Sequence, residues 1–120
     1  MSPANLARAS VEGMLCGLAD AVDALRSQGV MPKRILLVGG AAANTAVQRI
    51  AASVFDVPVV IPTPGEYVAD GAARQAAWAL AGSAEPPSWG AAGEVALDPA
   101  PVPAVRAAYA EAFAEVHGRT

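Results

Sequence analysis

The sequence predicts an α/β fold, because two short apolar runs are separated by a helical pattern. The first run is Ile35-Leu36-Leu37-Val38, and the second is Val57-Pro58-Val59-Val60-Ile61. Between them, apolar residues recur at three- and four-residue steps after Asn44, as they do on one face of a helix. A strand, a helix and a second strand in this order predict a right-handed crossover between two parallel strands.

Length and composition favour one compact domain with a thin core. The chain has 120 residues; 54% are hydrophobic but only 5% are aromatic, so much of the apolar content is alanine. The net charge is −3 and the eight Lys and Arg residues are scattered, which is not the pattern of a nucleic-acid-binding protein. Because the apolar runs are short and the N-terminus does not resemble a signal peptide, we expect a soluble cytoplasmic protein without a membrane span.

The longest helical candidate runs from Asn5 to about Gln28. Its apolar residues recur at helical spacing, and they are Leu6, Val11, Met14, Leu15, Leu18, Val22 and Leu25. Gly29 is the expected C-terminal stop. Cys16 is the only cysteine, and with no histidine near it in sequence we expect a small buried residue rather than a nucleophile.

The first strand, predicted at Arg34 to Val38, ends at a pair of glycines. Its four consecutive apolar residues predict burial on both faces. Because Gly39 and Gly40 have no Cβ, the backbone there can take positive φ and a ligand can come close to it. Asn44 is the expected N-cap of the following helix. A strand, a glycine turn and a capped helix suit an anion or a nucleotide, although a simple tight connection remains an alternative.

Two common nucleotide motifs do not fit this turn. A dinucleotide-binding fingerprint needs a further glycine before the helix, and none follows Gly40; the second strand also ends in Pro62-Thr63 without the ribose-binding acid. A phosphate-binding loop needs a lysine at the start of the helix, and no lysine follows Lys33. The local sequence therefore disfavours NAD as a ligand and does not fit a P-loop.

The remaining chain predicts two more helices around a linker. Glu66 to Leu80 has a helical pattern, and residues 83–101 are rich in Gly, Pro, Ser and Ala with almost no periodicity. We expect Trp89 to pin this linker to the domain. An amphipathic helix is predicted over residues 102–116, so the chain divides into a domain at 1–82, a linker at 83–101 and a C-terminal helix at 102–120 that packs back on the domain.

Three segments resemble the C-terminal signatures of the FGGY carbohydrate kinases, and above all those of its xylulose kinases. They are Ala7-Arg8-Ala9-Ser10-Val11-Glu12-Gly13, Leu37-Val38-Gly39-Gly40-Ala41-Ala42-Ala43-Asn44 and Glu66-Tyr67-Val68-Ala69-Asp70-Gly71-Ala72-Ala73. In that family, two actin-like, ribonuclease-H-like domains flank a cleft, the first holding the sugar and the second the ATP. The resemblance, from about Asn5 to Leu80, implies that this chain is a fragment of the second, ATP-side domain, with short parallel strands flanked by helices.

The resemblance also implies a nucleotide-binding role for the glycine turn. Gly39 and Gly40 would lie against the phosphates and ribose of ATP or ADP, and Ala41 would lie beside the base. Asn44 would hydrogen-bond the adenine or border its pocket, since an amide offers both a donor and an acceptor. The family further implies that Glu66 caps its helix and that Gly71-Ala72-Ala73 pack closely beneath the turn. Asp70 departs from the usual leucine, and we expect it in the first turn of its helix.

No catalytic or metal-binding residue is predicted in this chain. The catalytic aspartate and the sugar-binding residues of the family belong to segments that the chain lacks. Asp20, Asp23, Asp56 and Asp70 do not match that aspartate in context, so we expect them to be solvated acids of helices and loops. Mg²⁺ is accordingly expected only in the complete enzyme.

Two functions are left open by the sequence. The first is the ATP-binding part of a kinase that phosphorylates a pentulose such as xylulose, inactive without its missing N-terminal sugar domain. The alternative is a freestanding interaction module without catalysis, which dimerises through the apolar face of the first helix between Leu6 and Leu25. A homodimer or domain-swapped pair is expected, through the Leu6–Leu25 face or the open edge of the sheet, because a sheet of two strands is too small to close a core alone.

Overall fold

A computed structural model describes residues 2–88 and 93–118, and it has the predicted α/β architecture. In chain order the elements are α1 (Pro3–Ser27), β1 (Ile35–Leu36), a 3₁₀ turn (Gly40–Ala43), α2 (Thr45–Val54), β2 (Val59–Pro62), α3 (Tyr67–Ala81), β3 (Glu94–Leu97) and α4 (Pro103–His117). Trp89, which we expected to pin the linker, lies outside the described residues.

Helix α1 begins and ends close to its predicted bounds. The hydroxyl of Ser2 accepts from the backbone N–H of Asn5 at 3.2 Å, and Pro3 occupies the first turn, where its missing N–H costs nothing. After the helix, Gly29 has φ 84°, a left-handed conformation that ends the helix as predicted. Cys16 is fully buried in the core, in agreement with its expected packing role.

Strands β1 and β2 pair in parallel, as predicted from their spacing. Ile35 lies opposite Val59 and Leu36 opposite Val60, and α2 forms the crossover between them. The β-branched run of β2 is buried at Val59, Val60 and Ile61, which makes it the centre of the sheet. Pro58 precedes this strand, and its carbonyl accepts from the N–H of Ile35 at 2.9 Å.

The sheet has a third strand that the sequence pattern does not predict. β3 pairs antiparallel with the other edge of β2, with Leu97 opposite Val59 and Glu94 opposite Pro62, so the order is β1-β2-β3. This strand lies within residues 83–101, which the sequence predicts to be a linker. The four residues Glu94–Leu97 are too few to show a strand periodicity in the sequence. They form a strand because they pair with the free hydrogen-bonding edge of β2.

The prediction that the first strand is buried on both faces is wrong. β1 has only two residues, Ile35 and Leu36. From residue 35 to residue 38 the side chains alternate: Ile35 and Leu37 pack against the core, while Leu36 and Val38 are 52% and 51% exposed. The reason is that α1 and α2 pack on the face formed by Ile35 and Leu37. The opposite face of β1 is thus an apolar surface open to solvent.

The core forms between α1, α2 and the sheet. Its buried members are Leu15, Cys16, Ala19, Ile50, Ala51, Val54, Phe55, Val59 and Ile61. Helix α4 adds Val105 and Tyr109, which are partly buried against this cluster. Two backbone hydrogen bonds hold the segment before α4 on α2, from Ala100 N to Ala52 O and from Val102 N to Ser53 O, each 2.8 Å.

Helix α3 lies outside this core. None of its residues is buried, and Val68 and Leu80 are 90% and 91% exposed. The close packing that the family resemblance implies for Gly71-Ala72-Ala73 is not observed, because an added Cβ at Gly71 would meet no atom within 4 Å. Across the described ranges, no helix combines the length and the apolar character that crossing a membrane requires.

Candidate functional site

The glycine pair forms a turn whose outer side is open. Gly39 has φ 101°, a conformation that side chains rarely adopt, and the 3₁₀ turn starts at Gly40. Two backbone hydrogen bonds close this turn, from Ala42 N to Gly39 O at 3.0 Å and from Asn44 N to Ala41 O at 3.1 Å. Among the described residues, and apart from its neighbours in the chain, no atom lies within 4 Å of a Cβ added at either glycine. The turn therefore leaves room for another molecule to approach its backbone.

Asn44 caps α2, as predicted. Its Oδ1 accepts from the N–H of Ala46 at 2.8 Å, and its extended backbone, with φ −82° and ψ 117°, ends the turn. The side-chain amide nitrogen has no hydrogen-bond partner in the part of the chain that the structure describes. Asn44 is exposed, so this donor is accessible from solvent.

A cleft of about 460 Å³ lies between the glycine turn and the turn that follows β2. The lining residues are Gly39, Gly40, Ala42, Ala43, Gln48, Ile61, Pro64, Gly65, Glu66 and Tyr67. Ligand sites in proteins commonly have volumes of about 300–1,000 Å³, so the cleft is large enough for a small molecule. Its walls are small side chains and backbone, with Gln48, Glu66 and Tyr67 as the polar exceptions.

The wall opposite the glycine turn is held by Thr63. Its hydroxyl donates to the carbonyl of Gly93 at 2.7 Å, and its N–H donates to the same carbonyl at 2.7 Å. The hydroxyl of Tyr67 donates to the carbonyl of Thr63. These bonds join the end of β2 to the segment that enters β3.

The predicted site residues divide into two groups. Gly39 and Gly40 line the cleft, together with Ala42 and Ala43, whereas Ala41 and Asn44 are on the same turn but do not line it. The sequence reasoning missed Gln48, whose Nε2 donates to the carbonyl of Ala42 at 2.7 Å. Its position one helical turn after the Asn44 cap is the signal that could have found it, because residues four apart share a helix face.

Glu66 occupies the N-cap position of α3 without capping it through its side chain. Its φ and ψ are −87° and 64°, and the carboxylate makes no hydrogen bond to the first turn of the helix. Glu66 lines the cleft instead. Asp70 is in the first turn of α3 and exposed, as expected from the departure of this residue from the family pattern.

Three of the remaining aspartates form ion pairs at the other end of the domain. Arg106 of α4 contacts Asp20 at 2.8 Å and Asp23 at 2.9 Å, and Arg26 contacts Asp23 at 3.1 Å and Asp56 at 2.6 Å. The hydrogen bond from Arg26 lowers the pKa of Asp56 below its usual value. Asp20 and Asp23 thus link α1 to α4, and Asp56 links the segment after α2 to α1. All three carboxylates are about half exposed, in agreement with the expected solvated acids.

Residues 2–88 and 93–118 contain no group of three or more His, Cys, Asp and Glu side chains that could hold a metal ion. Glu66 is the only carboxylate that lines the cleft in this part of the chain.

Comparison with known proteins gives a consistent result. The model of the C-terminal domain of the FGGY family of carbohydrate kinases matches residues 1–80. A glycerol kinase from Rhodopirellula baltica is 39% identical over 71 residues, and one from Koribacter versatilis is 40% identical over 70 residues; each match covers 58% of this chain. The chain spans only 13% and 14% of the length of these two proteins.

A solved structure matches more of the chain. The crystal structure of xylulose kinase from Bifidobacterium adolescentis superimposes with a TM-score of 0.72 at 45% sequence identity, over 93% of this chain and 23% of that one. The similarity thus extends beyond residue 80, into the region that contains β3 and α4.

Proposed function

This chain belongs to the FGGY family of carbohydrate kinases, and we propose that it binds an adenine nucleotide in the cleft beside its glycine turn. In this proposal the ATP or ADP phosphates and ribose lie in the cleft against Gly39 and Gly40. The base lies outside the cleft lining, near the exposed residues Ala41 and Asn44 of the same turn. The exposed amide nitrogen of Asn44 supplies a donor to the base, while its oxygen is engaged in the cap.

The observation that carries this proposal is the empty space beside Gly40. This glycine has no positive φ that would require it, and no protein atom lies within 4 Å of the place where a Cβ would be. Gly13 and Gly71 share these two properties, and Gly40 differs from them because it lines the cleft. A ligand in the cleft could approach the backbone at Gly40, where a side chain would occupy its space.

We further propose that the complete enzyme transfers the γ-phosphoryl group of ATP to a pentulose such as xylulose. The similarity to a xylulose kinase over 93% of this chain supports this choice, whereas the glycerol kinase relatives show that the family includes other acceptors. An N-terminal sugar domain would supply the catalytic aspartate, the sugar site and the ligands of Mg²⁺, so the chain alone would be inactive. A cytoplasmic location belongs to the same proposal, and the free thiol of Cys16 is compatible with it.

A second candidate function is a dimerising interaction module. It is favoured by the apolar face of α1, where Leu6, Met14, Leu18 and Leu25 are each 50–58% exposed. The opposite face of the sheet has a second exposed apolar area, at Leu36 and Val38. Exposed apolar residues of this number commonly mark an interface, which here would be a homodimer or the contact with the missing domain.

Titration with ADP separates the two functions. We expect ADP to shift the backbone resonances of residues 39–44 and of the facing turn at 64–67, and to leave those of α4 in place. If saturating ADP shifts none of these resonances while the fold is intact, the nucleotide site is absent and the interaction module becomes the better account.

A further inference from the structure

Gln48 connects the rigid helix α2 to the glycine turn. Its Nε2 donates to the carbonyl of Ala42 at 2.7 Å, across six positions in the sequence. Because a carbonyl oxygen only accepts, this bond fixes which end of the amide faces the turn. The backbone of Gln48 is itself anchored, since its N–H donates to the carbonyl of Asn44 at 3.0 Å. The residue thus links the turn to the first turn of α2.

The turn needs such a link because its own hydrogen bonding is sparse. It consists of four residues in a 3₁₀ conformation, entered through Gly39 at positive φ. Short 3₁₀ segments have poor hydrogen-bond geometry and few bonds. The carbonyl of Ala42 belongs to a buried residue, so the donor from Gln48 also satisfies a group that solvent reaches poorly.

Gln48 also lines the cleft on the same side as Gly39 and Gly40. We propose that Gln48 is a positioning residue of the nucleotide site: it holds the Gly40–Ala43 turn in the shape against which the ligand binds. This inference rests on the proposed nucleotide-binding function. In this proposal the side chain of Gln48, which is not part of the turn, keeps the turn in its binding conformation before the ligand arrives. A site that is already ordered loses less conformational freedom on binding.

Replacement of Gln48 by methionine tests the role. Gln48→Met keeps the length and the helix propensity of the side chain but removes the donor. We expect ADP to bind about three- to tenfold more weakly, and hydrogen exchange at the amides of Ala42 and Asn44 to be faster by a similar factor. Exchange at Phe55, whose N–H donates to Ala51 within the core, should not change. Gln75→Met, at an exposed position of α3, is the matched control and should change neither quantity.

A pH-dependent rescue gives a second test that does not depend on Gln48→Met folding well. In Gln48→Glu the carboxylate cannot donate at neutral pH, but the protonated carboxyl can. Because a carboxylate in the cleft would also repel the phosphates of ADP directly, the quantity to follow is hydrogen exchange at Ala42 without ADP. Relative to the unaltered chain, we expect this exchange to be faster at pH 7 and to approach the same rate as the pH falls towards about 4.5. Glu66 and Tyr67 also line the cleft, and the ratio to the unaltered chain at each pH removes their contribution.

The outcomes are distinct. Suppose that the unaltered chain binds ADP. If Gln48→Met then binds ADP equally well with unchanged hydrogen exchange, or if the exchange ratio of Gln48→Glu to the unaltered chain is independent of pH, the positioning role is wrong and the nucleotide site stands. If the unaltered chain shows no ADP-dependent shifts, the proposed nucleotide function fails, and the positioning role fails with it.

Discussion

Arg106 of α4 forms an ion pair with Asp23 of α1, with 2.9 Å between Nη2 and Oδ2. The same guanidinium contacts Asp20 at 2.8 Å and donates from Nη1 to the carbonyl of Cys16 at 2.8 Å. Arg106 is partly buried and lies beyond residues 1–80, which the family model matches. This contact joins the C-terminal helix to the longest helix of the domain.

We expect Arg106→Met to lower the free energy of unfolding by about 1 kcal/mol, because it removes a charge-assisted bond to a carbonyl and two ion pairs. The aspartate side chains are about half exposed, so screening by solvent keeps the loss small. Urea denaturation measures it, with Arg49→Met, at an exposed position of α2, as the control. Equal stability of the two variants would show that the ion pairs and hydrogen bond of Arg106 contribute nothing measurable to holding α4.

The pair between Arg26 and Asp56 predicts a pH dependence of stability. Arg26 lowers the pKa of Asp56, so the folded state binds a proton less readily than the unfolded state. The stabilisation is therefore present above the unfolded pKa of 3.8 and is lost as the pH falls through the lower folded value. Asp56→Asn should flatten the decrease in melting temperature below about pH 4. The carboxylate is 61% exposed, which makes the effect small, and identical slopes for both proteins would contradict it.

Asn44→Ala should lower the free energy of unfolding by about 1 kcal/mol through loss of the bond to Ala46. It should also weaken ADP binding, because the amide nitrogen is removed. Asn44→Ser retains a capping oxygen, so its stability should be close to that of the unaltered chain, as measured by thermal unfolding. Full ADP affinity in Asn44→Ala would remove Asn44 from the proposed site.

These features differ in how far the sequence could predict them. The parallel pair, the N-cap at Asn44 and the bounds of α1 follow from local periodicity and capping chemistry, which neighbouring residues encode. β3 could not be predicted in this way, because it depends on the free edge of β2, far away in sequence. The spacing from Asn44 could have placed Gln48 near the turn, but its bond to the carbonyl of Ala42 could not be predicted, because a glutamine on a helix has no motif that reveals its partner.

The exposed face of α1 predicts self-association. We expect the chain to be dimeric in light scattering at high concentration, and Leu18→Lys to shift it towards the monomer, because a charge would enter an apolar interface. Leu80→Lys replaces a 91% exposed leucine of α3 and should leave the mass unchanged. A monodisperse monomer of the unaltered chain would contradict this prediction.

Gly40→Ala tests the close approach of a ligand to the turn with little risk to the fold. No protein atom lies near the added methyl group and φ is not positive, so the melting temperature should hardly change. Gly71→Ala in α3 is the matched control, since an added methyl group there also meets no atom within 4 Å. We expect ADP binding to be lost in Gly40→Ala and kept in Gly71→Ala.

The most direct measurement is a titration of the unaltered chain with ADP, followed by backbone NMR resonances. Because the phosphate and Mg²⁺ contacts would come from the rest of the enzyme, we expect a dissociation constant on the order of 1 mM, worth roughly 4 kcal/mol. Saturable shifts at residues 39–44, absent in Gly40→Ala, are the predicted result. A folded chain whose residues 39–44 show no shift at saturating ADP would contradict the proposal that this domain holds an adenine nucleotide.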